Sequence, residues 1–473
     1  MTDAPRGHRT RPVQWRPDRK ATDPSRLAAY DILRAVDEDG AYANLVAQRV
    51  LADADLHGRD AAFATTLAYG TLRRRGFIDA VLEACSARPL AEIDAQVLDV
   101  VRLGAMQILF LGTPPHAAVG ETVQLARLVG GEARSKFANA VLRRVGERDL
   151  DQWVDQVAPG AATDPVGHLS VVQSHPRWIV EALHDALSSW RGSASWSDTE
   201  DLLAADNVNA EVTLVARPGR VDVDELLELR GARPGQWSPY AVTLESGNPG
   251  EIPAVRSGDA GVQDEGSQLV AIALSRAPVE GLDDTWLDMA AGPGGKAALL
   301  AGLGLDRDVR LLAIDRAPHR AHLVAQALAT APGHHLSITA DGTDGPWRPA
   351  TFDRVLLDAP CTGLGVLRRR PESRWRRTPA DVAELAALQS RMLAAAIDAV
   401  RPGGVVGYAT CSPHLAETTL VVDDAVRRGN VERLDVRPLL PEVDDLGAGP
   451  DLRLWPHVHG TDGMYLAILR RTR

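Results

Sequence analysis

The chain is poor in cysteine, in lysine and in long apolar runs. Its three cysteines, Cys85, Cys361 and Cys411, are too few and too odd in number for a disulfide framework, and no metal-ligand cluster surrounds any of them. Each is therefore read as a free thiol, and no metal site is expected. No stretch approaches the roughly 18 uninterrupted apolar residues of a membrane span. The opening residues Met1 to Arg6 lack the apolar centre of a secretory signal, so a cytoplasmic protein is the expectation. Lysine occurs only as Lys20, Lys136 and Lys296. Positive charge is nearly all arginine, a bias that genomic composition alone can produce and that carries no functional weight. An excess of positive charge is missing too. The formal net charge of −11 excludes a chain that is basic all over, and leaves nucleic-acid binding to the way charge is distributed.

What the chain has is length. Its 473 residues exceed one ordinary core, so two to four domains are expected. Residues 1–24 hold Arg6, Arg9, Arg11, Arg16, Arg19 and Lys20 among prolines and read as a disordered basic arm. Residues 25–148 turn helical: Leu27, Tyr30, Ile32, Leu33 and Val36 recur at helical spacing, and runs follow at 61–72, 78–85, 95–111 and 117–128. Cys85 falls in one of these apolar helices, the setting of a buried, inert thiol. Residues 149–165 are polar and small and read as a linker, and 166–261 as a small α+β domain with strands near 211–216 and 240–245. From 262 to 473 apolar strands alternate with helices. The strands are 286–289, 310–315, 336–340, 354–358, 405–409 and 464–469. This alternation predicts a doubly wound, mostly parallel α/β sheet with ligands at the carboxyl ends of its strands.

The first of those strands runs into Ala290-Ala291-Gly292-Pro293-Gly294-Gly295-Lys296. A glycine-rich turn between strand and helix lets the backbone approach a ligand and offers unpaired amides. Its spacing is neither that of a dinucleotide fingerprint nor that of a P-loop. Acids then close successive strands: Asp315, placed to accept both ribose hydroxyls of a nucleoside cofactor, Asp341 within reach of an adenine amine, and Asp358. Arg320, early in the helix after Asp315, joins the cofactor-binding set. Cys361, in Asp358-Ala359-Pro360-Cys361, and Cys411, in Thr410-Cys411-Ser412, also follow strand ends and face the same crevice. Arg368, Arg369, Arg370, Arg374, Trp375, Arg376 and Arg377 lie close after Cys361. A charge run is commonly a solvated face. This one borders the crevice and holds an aromatic able to stack, so it reads as an RNA-contacting surface.

With these motifs in this order, the chain resembles the RNA 5-methylcytosine methyltransferases, and among them the bacterial small-subunit ribosomal RNA methyltransferase B group, over nearly its whole length. The resemblance takes in Gln263-Asp264-Glu265-Gly266-Ser267-Gln268, the glycine-rich turn and both cysteine motifs. The helical region is similar to NusB, including Pro114-Pro115-His116-Ala117-Ala118 and Phe137-Ala138-Asn139-Ala140-Val141-Leu142-Arg143. The resemblance implies a class I, Rossmann-like methyltransferase domain, S-adenosylmethionine as cofactor and RNA, most directly 16S rRNA, as partner, with nothing demanding a dimer. It implies that Cys411 is a nucleophile adding to carbon 6 of cytosine and that Cys361 helps release the adduct. Asp358 would bond the base, and Lys296 would lower a thiol's pKa or place Asp358. The family turn usually reads D-x-C-A-A-P-G-G-K-[TS]. Here Ala290, Gly292 and Ala297 depart from it, as Leu415, Ala416 and Thr418 do from a P-E-E-N segment whose third position is Glu417. Rival readings are a non-enzymatic NusB-like antitermination factor, a methyltransferase acting on tRNA or a non-RNA substrate, and a redox pair formed by the two cysteines.

Overall fold

The computed structural model describes residues 22–473, so the basic arm expected over 1–24 lies outside the described residues up to residue 21. The chain divides into two compact units, Met1–Ala158 and Pro159–Arg473. Among the described residues no helix is long and apolar enough to cross a membrane.

The first unit is helical. Its opening helix, Pro24–Asp39, starts where the Asp23 side chain accepts from the Arg26 amide and proline fills the first turn, and it stops at Gly40 with φ 64°. It buries Ile32, Leu33 and Val36, the apolar stripe legible in the sequence. Charge crosses this core: Asp99, its side chain 2% exposed, accepts from Arg34 at 2.6 Å and Arg102 at 3.0 Å. Arg102 also grips Asp79 at 2.7 Å, so every charge in the group is paired. Cys85 is buried, and burial pushes its thiol up to about 11. The stretch expected as a linker is instead helical over Leu150–Val157, and a second helix, Pro165–Val172, opens at its end. A capping box between Asp149 and Gln152 starts the former, and buried Trp153 anchors it by donating its indole N–H to the Val145 carbonyl. One aromatic among polar residues is too sparse a pattern to read as periodicity.

The second unit holds two sheets. Strands β1 (Val212–Ala216), β2 (Ala232–Pro234), β3 (Ala241–Leu244) and β4 (Ala260–Val262) form an antiparallel sheet in the order β2-β3-β1-β4. The larger sheet is built from β5 (Thr285–Asp288), β6 (Arg310–Asp315), β7 (His334–Thr339), β8 (Phe352–Asp358), β9 (Val400–Thr410), β10 (Val431–Leu434) and β12 (Met464–Arg471), in the order β10-β12-β9-β8-β5-β6-β7, with β11 (Leu452–Leu454) pairing β12. Strands β9, β8, β5, β6 and β7 run parallel and β12 antiparallel. The α/β sheet expected from the alternation is therefore mixed at one edge. Strands β10 and β11 escape the sequence pattern because they are short and carry charged residues.

Side chains alternate across the sheet. Trp286 and Leu356 pack on one face with Leu269, Leu300 and Val324, whereas Leu287, Val355 and Leu357 pack on the other with Leu393, Ile397 and Val422. Helices thus cover both faces. Arg354, buried in β8, donates to the Leu274 and Ala277 carbonyls at the end of helix Glu265–Arg276 while pairing Asp283 at 2.7 Å. Chain order reverses about β5, with β6 and β7 to one side and β8 and β9 to the other. This topology opens a crevice at the carboxyl ends of β5 and β8.

The arginine run corrects one expectation. Arg374 is 0% exposed and donates to the Ser174 and Asp206 carbonyls and to Asn207 Oδ1. Arg368 is buried between Asp462 at 2.7 Å and Asp264 at 2.9 Å, and Arg369 pairs the same two carboxylates. Neither Arg368 nor Arg374 can serve as a surface contact for RNA; both tie segments of this unit together. Arg370 is exposed, and Trp375, Arg376 and Arg377 are half-buried.

Two predictions test these buried charges. Arg374→Met strips partners from buried polar groups and is expected to lower unfolding free energy by about 3 kcal/mol. Denaturant titration checks this, and a loss below about 1 kcal/mol would contradict the internal role. Asp206 has no hydrogen-bond donor on its carboxyl oxygens among the described residues, and burial pushes its pKa up to about 7 against the pull of Arg374. The folded chain therefore holds a proton there that the unfolded chain releases near pH 4. This contribution to stability is full below about pH 4 and is lost progressively as pH rises from there to about 7, so Asp206→Asn should flatten the fall in stability between about pH 4 and 7.

Candidate active site

The turn after β5 continues the sheet before it leaves it. The Met289 amide donates to the Leu356 carbonyl and the Ala291 amide to that of Ile314, each at 2.8 Å, which splays the backbone between both neighbouring strands. Gly294 then adopts φ 110°, where a Cβ would stand 2.6 Å from that of Ala327, and helix Gly295–Leu303 begins. Gly292 is held more tightly still. Its amide donates to Asp315 Oδ2 at 3.1 Å and its carbonyl accepts from Arg320, and a Cβ there would lie 2.4 Å from Asp315 Oδ2. The glycine at this departure from the family pattern lets the turn press directly onto the end of β6.

Asp315 is buried. Its oxygens accept from the Gly292 and Ala317 amides, and Arg320 Nε stands 3.3 Å away. A carboxylate offers about four lone-pair sites, so acceptor capacity remains toward the crevice. Asp341 follows β7 and accepts from the Thr343 amide and hydroxyl, bonds that hold its pKa down. Met289, Ala290, Asp315, Arg320, Asp341, Pro360 and Met392 line one cavity. Ala290 is shared with a second, whose walls include Gln263, Asp288, Pro293, Lys296, Asp358, Arg369 and Cys411. Together they form one crevice with charged side chains at both ends.

Lys296, Asp358 and Cys411 line the second cavity, whereas Cys361 lines neither and stands behind Cys411. Cys361 and Cys411 face each other with sulfurs 3.4 Å apart, close enough for a thiol hydrogen bond. Cys361 is held well above the usual thiol range by the hydrogen bond to Cys411 and then by burial. Lys296 Nζ lies 2.8 Å from Asp358 Oδ2. Burial pulls the ammonium down, but Asp358, with Cys411 and Asp288 behind it, more than offsets this, and its pKa is raised. Lys296 is thus a fixed positive charge close to Asp358, Cys411 and Asp288.

The crevice also contains residues that the sequence reading quoted without assigning. Asp288, at the end of β5, is fully buried, and burial followed by the nearby Asp358 raises its pKa to about 7 against Lys296. Gln263 donates through Nε2 to Ser267 Oγ, and among the described residues no donor reaches its buried Oε1. An acid ending a strand was available as a signal for Asp288; nothing local in the sequence marks Gln263.

The chain is similar to known proteins in sequence and fold. Residues 274–470 match the family model described as 16S rRNA methyltransferase RsmB/F, and residues 23–147 match the NusB family. A Mycobacterium tuberculosis (strain H37Rv) protein named "Putative methyltransferase Rv1407" is 52% identical over 472 residues, covering 100% of both chains. A Xanthomonas campestris ribosomal RNA small subunit methyltransferase B is 32% identical, over 94% of this chain and 96% of that one. The crystal structure of PH0851 shares the fold with a TM-score of 0.76 over 95% of this chain and 99% of that chain, at 21% identity. The chain belongs to the ribosomal RNA small subunit methyltransferase B family, an RsmB/F methyltransferase with a NusB-family helical region.

Proposed function

We propose that this enzyme methylates carbon 5 of a cytosine in RNA, with 16S rRNA as the substrate, through a transient bond between Cys411 and carbon 6 of the base. The observation that carries the reading is the thiol pair, 3.4 Å apart after adjacent parallel strands, beside the Lys296–Asp358 pair. S-adenosylmethionine is the cofactor of this methyltransferase, and the crevice fits it. Asp315 and Asp341 would hold the adenosine end between Met289 and Met392, and the glycine-bearing turn leaves room for the methionine end. When bound, it supplies an electrophilic methyl group on a sulfonium.

Carbon 5 of cytosine is a weak nucleophile, and addition of a thiolate at carbon 6 turns it into an enamine carbon. Lys296 stabilises the Cys411 thiolate and fixes Asp358 through their 2.8 Å contact. Asp358 then bonds the exocyclic amine or protonated N3 of the base, where charge develops on addition. After methyl transfer carbon 5 must lose its proton and Cys411 must leave. Cys361, adjacent to the Cys411 sulfur, assists that release. A cytosine in a loop or opened pair reaches such a pocket without the full cost of unstacking.

Two outcomes are expected. Labelled methyl from S-adenosylmethionine appears on cytosine carbon 5 of small-subunit rRNA. Cys411→Ala lowers that transfer about a thousandfold or more, and Cys361→Ala accumulates a protein–RNA adduct on denaturing gels. Persistent transfer by Cys411→Ala, or label on another atom, would reject the covalent reading. For RNA binding, Arg370→Ala with Arg377→Ala should weaken affinity and reduce the salt slope by about 1 to 2, leaving S-adenosylmethionine affinity unchanged. An unaltered salt slope would remove these residues from the RNA surface.

A further inference from the structure

Glu417 is 0% exposed, and its side chain is surrounded by donors from three separate segments. Oε1 accepts from the Thr362 amide at 2.8 Å and from Gln389 Nε2 at 3.1 Å. Oε2 accepts from the hydroxyl of Thr362 and, at 2.7 Å, from that of Ser412. Thr362 follows Cys361 and Ser412 follows Cys411, so one carboxyl group grips the residue next to each thiol. The two hydroxyls also stand 3.1 Å from each other. The grip is itself fixed: Tyr408, buried in β9, donates its hydroxyl to the Glu417 carbonyl at 2.7 Å. Gln389 further ties the Pro360 carbonyl to helix Pro379–Ala399 at 2.8 Å.

We propose that Glu417 is the positioning residue that sets the spacing of the two thiols, acting through Thr362 and Ser412 without touching substrate. The proposal rests on the reading of Cys361 and Cys411 as a catalytic pair. Past the strand ends the Gly365 amide donates to the Cys411 carbonyl at 2.9 Å, and the Glu417 carboxyl adds a side-chain acceptor that both cysteine turns share. With it, a shift of one thiol must break a buried hydrogen bond or drag the other along. The departures at Leu415, Ala416 and Thr418 leave this brace untouched, because the position that makes it is the one retained.

The test uses the full-length chain and a readout of thiol spacing that needs no RNA. Diamide takes up two electrons and two protons as the two thiols join in a disulfide, and the rate of Cys361–Cys411 cross-linking is followed by mass spectrometry. Glu417→Ala is expected to slow cross-linking about tenfold or more, in line with the sensitivity of reactive encounters to displacements near 1 Å. Glu417→Gln should restore a rate within about threefold of wild type, because its oxygen can face the Thr362 amide and Gln389 while the two hydroxyls rotate to accept from its amide. Cross-linking by Glu417→Ala at the wild-type rate overturns the proposal, as does failure of the glutamine to rescue. If the alanine variant does not fold, Ser412→Ala removes the Cys411-side bond to Glu417 together with the Ser412 hydroxyl's contacts to Thr362 and the His414 amide. Slower cross-linking then supports the brace and an unchanged rate overturns it. Wild-type protein that cross-links as expected but methylates no cytosine would defeat the functional reading and leave the positioning role standing.

Discussion

The site depends on one register. Strands β8 and β9 pair in parallel with Asp358 opposite Ala409, and the Ala359 amide continues the ladder to the Ala409 carbonyl at 2.8 Å. Parallel neighbours end on the same side of a sheet, so the turns that follow them leave side by side. Cys361 and Cys411 come within three residues of that shared end, so the register brings two residues fifty positions apart to the same side of the sheet, where their sulfurs stand 3.4 Å apart. The Gly365 amide donates to the Cys411 carbonyl, and the Gly463 amide to that of Gly365, which carries the ladder logic beyond the strands. A Cβ at Gly365 would lie 2.0 Å from the Gly463 carbonyl oxygen, so the close approach of these turns requires glycine there.

Around that register the chain spends arginine on its interior. Arg354 closes a helix end, Arg368 and Arg369 share Asp264 and Asp462, and Arg374 ties Ser174, Asp206 and Asn207 to the segment after Cys361. The planar guanidinium suits this work, because it satisfies several acceptors in fixed directions and stays charged when buried. A buried ion pair is weak evidence for stability against an apolar alternative, yet removing one partner is costly. These residues therefore act as geometric links in a unit that must hold a cysteine turn, a cofactor turn and a small sheet in one arrangement.

Much of this was legible in sequence. Alternation of strands and helices predicts the parallel sheet, and six of its strands lie where the sequence pattern places them; buried strands such as β8 and β9 read as near-continuous apolar segments, whereas β7 is an exposed edge strand. The convergence of the glycine-bearing turn, Asp315, Asp358 and Cys411 on one crevice follows from strand-end placement, whereas Cys361, expected to face it as well, lines neither cavity and stands against the Cys411 sulfur. The arginine run was misread because local charge looks the same whether its partners are phosphates or carboxylates distant in sequence. Asp264 and Asp462 precede and follow Arg368 by about a hundred residues each, and no periodicity links them. Gln263 and Glu417 were opaque for the same reason: their significance lies in which donors and cavities the fold brings to them.

The departures from the family pattern make sense by the same physics. At Gly292 a side chain would intrude on Asp315 and Arg320, which here lean onto the turn, so the smaller residue and the tighter clamp belong together. Ala297 is buried in helix Gly295–Leu303 among Ala298, Leu299 and Leu300, where a residue without a hydroxyl avoids leaving a polar group to satisfy. Near Cys411 the changes fall on Leu415, which packs against the cluster of Trp455 and Leu364, and on Ala416, whose amide donates to His414 Nδ1. Thr418, the third, donates its hydroxyl to the His414 carbonyl, whereas Glu417 bonds Thr362 and Ser412, the residues next to the two thiols. Sequence divergence has thus been absorbed where the turn needs only backbone or bulk, and resisted where a carboxyl group holds two reactive segments at once.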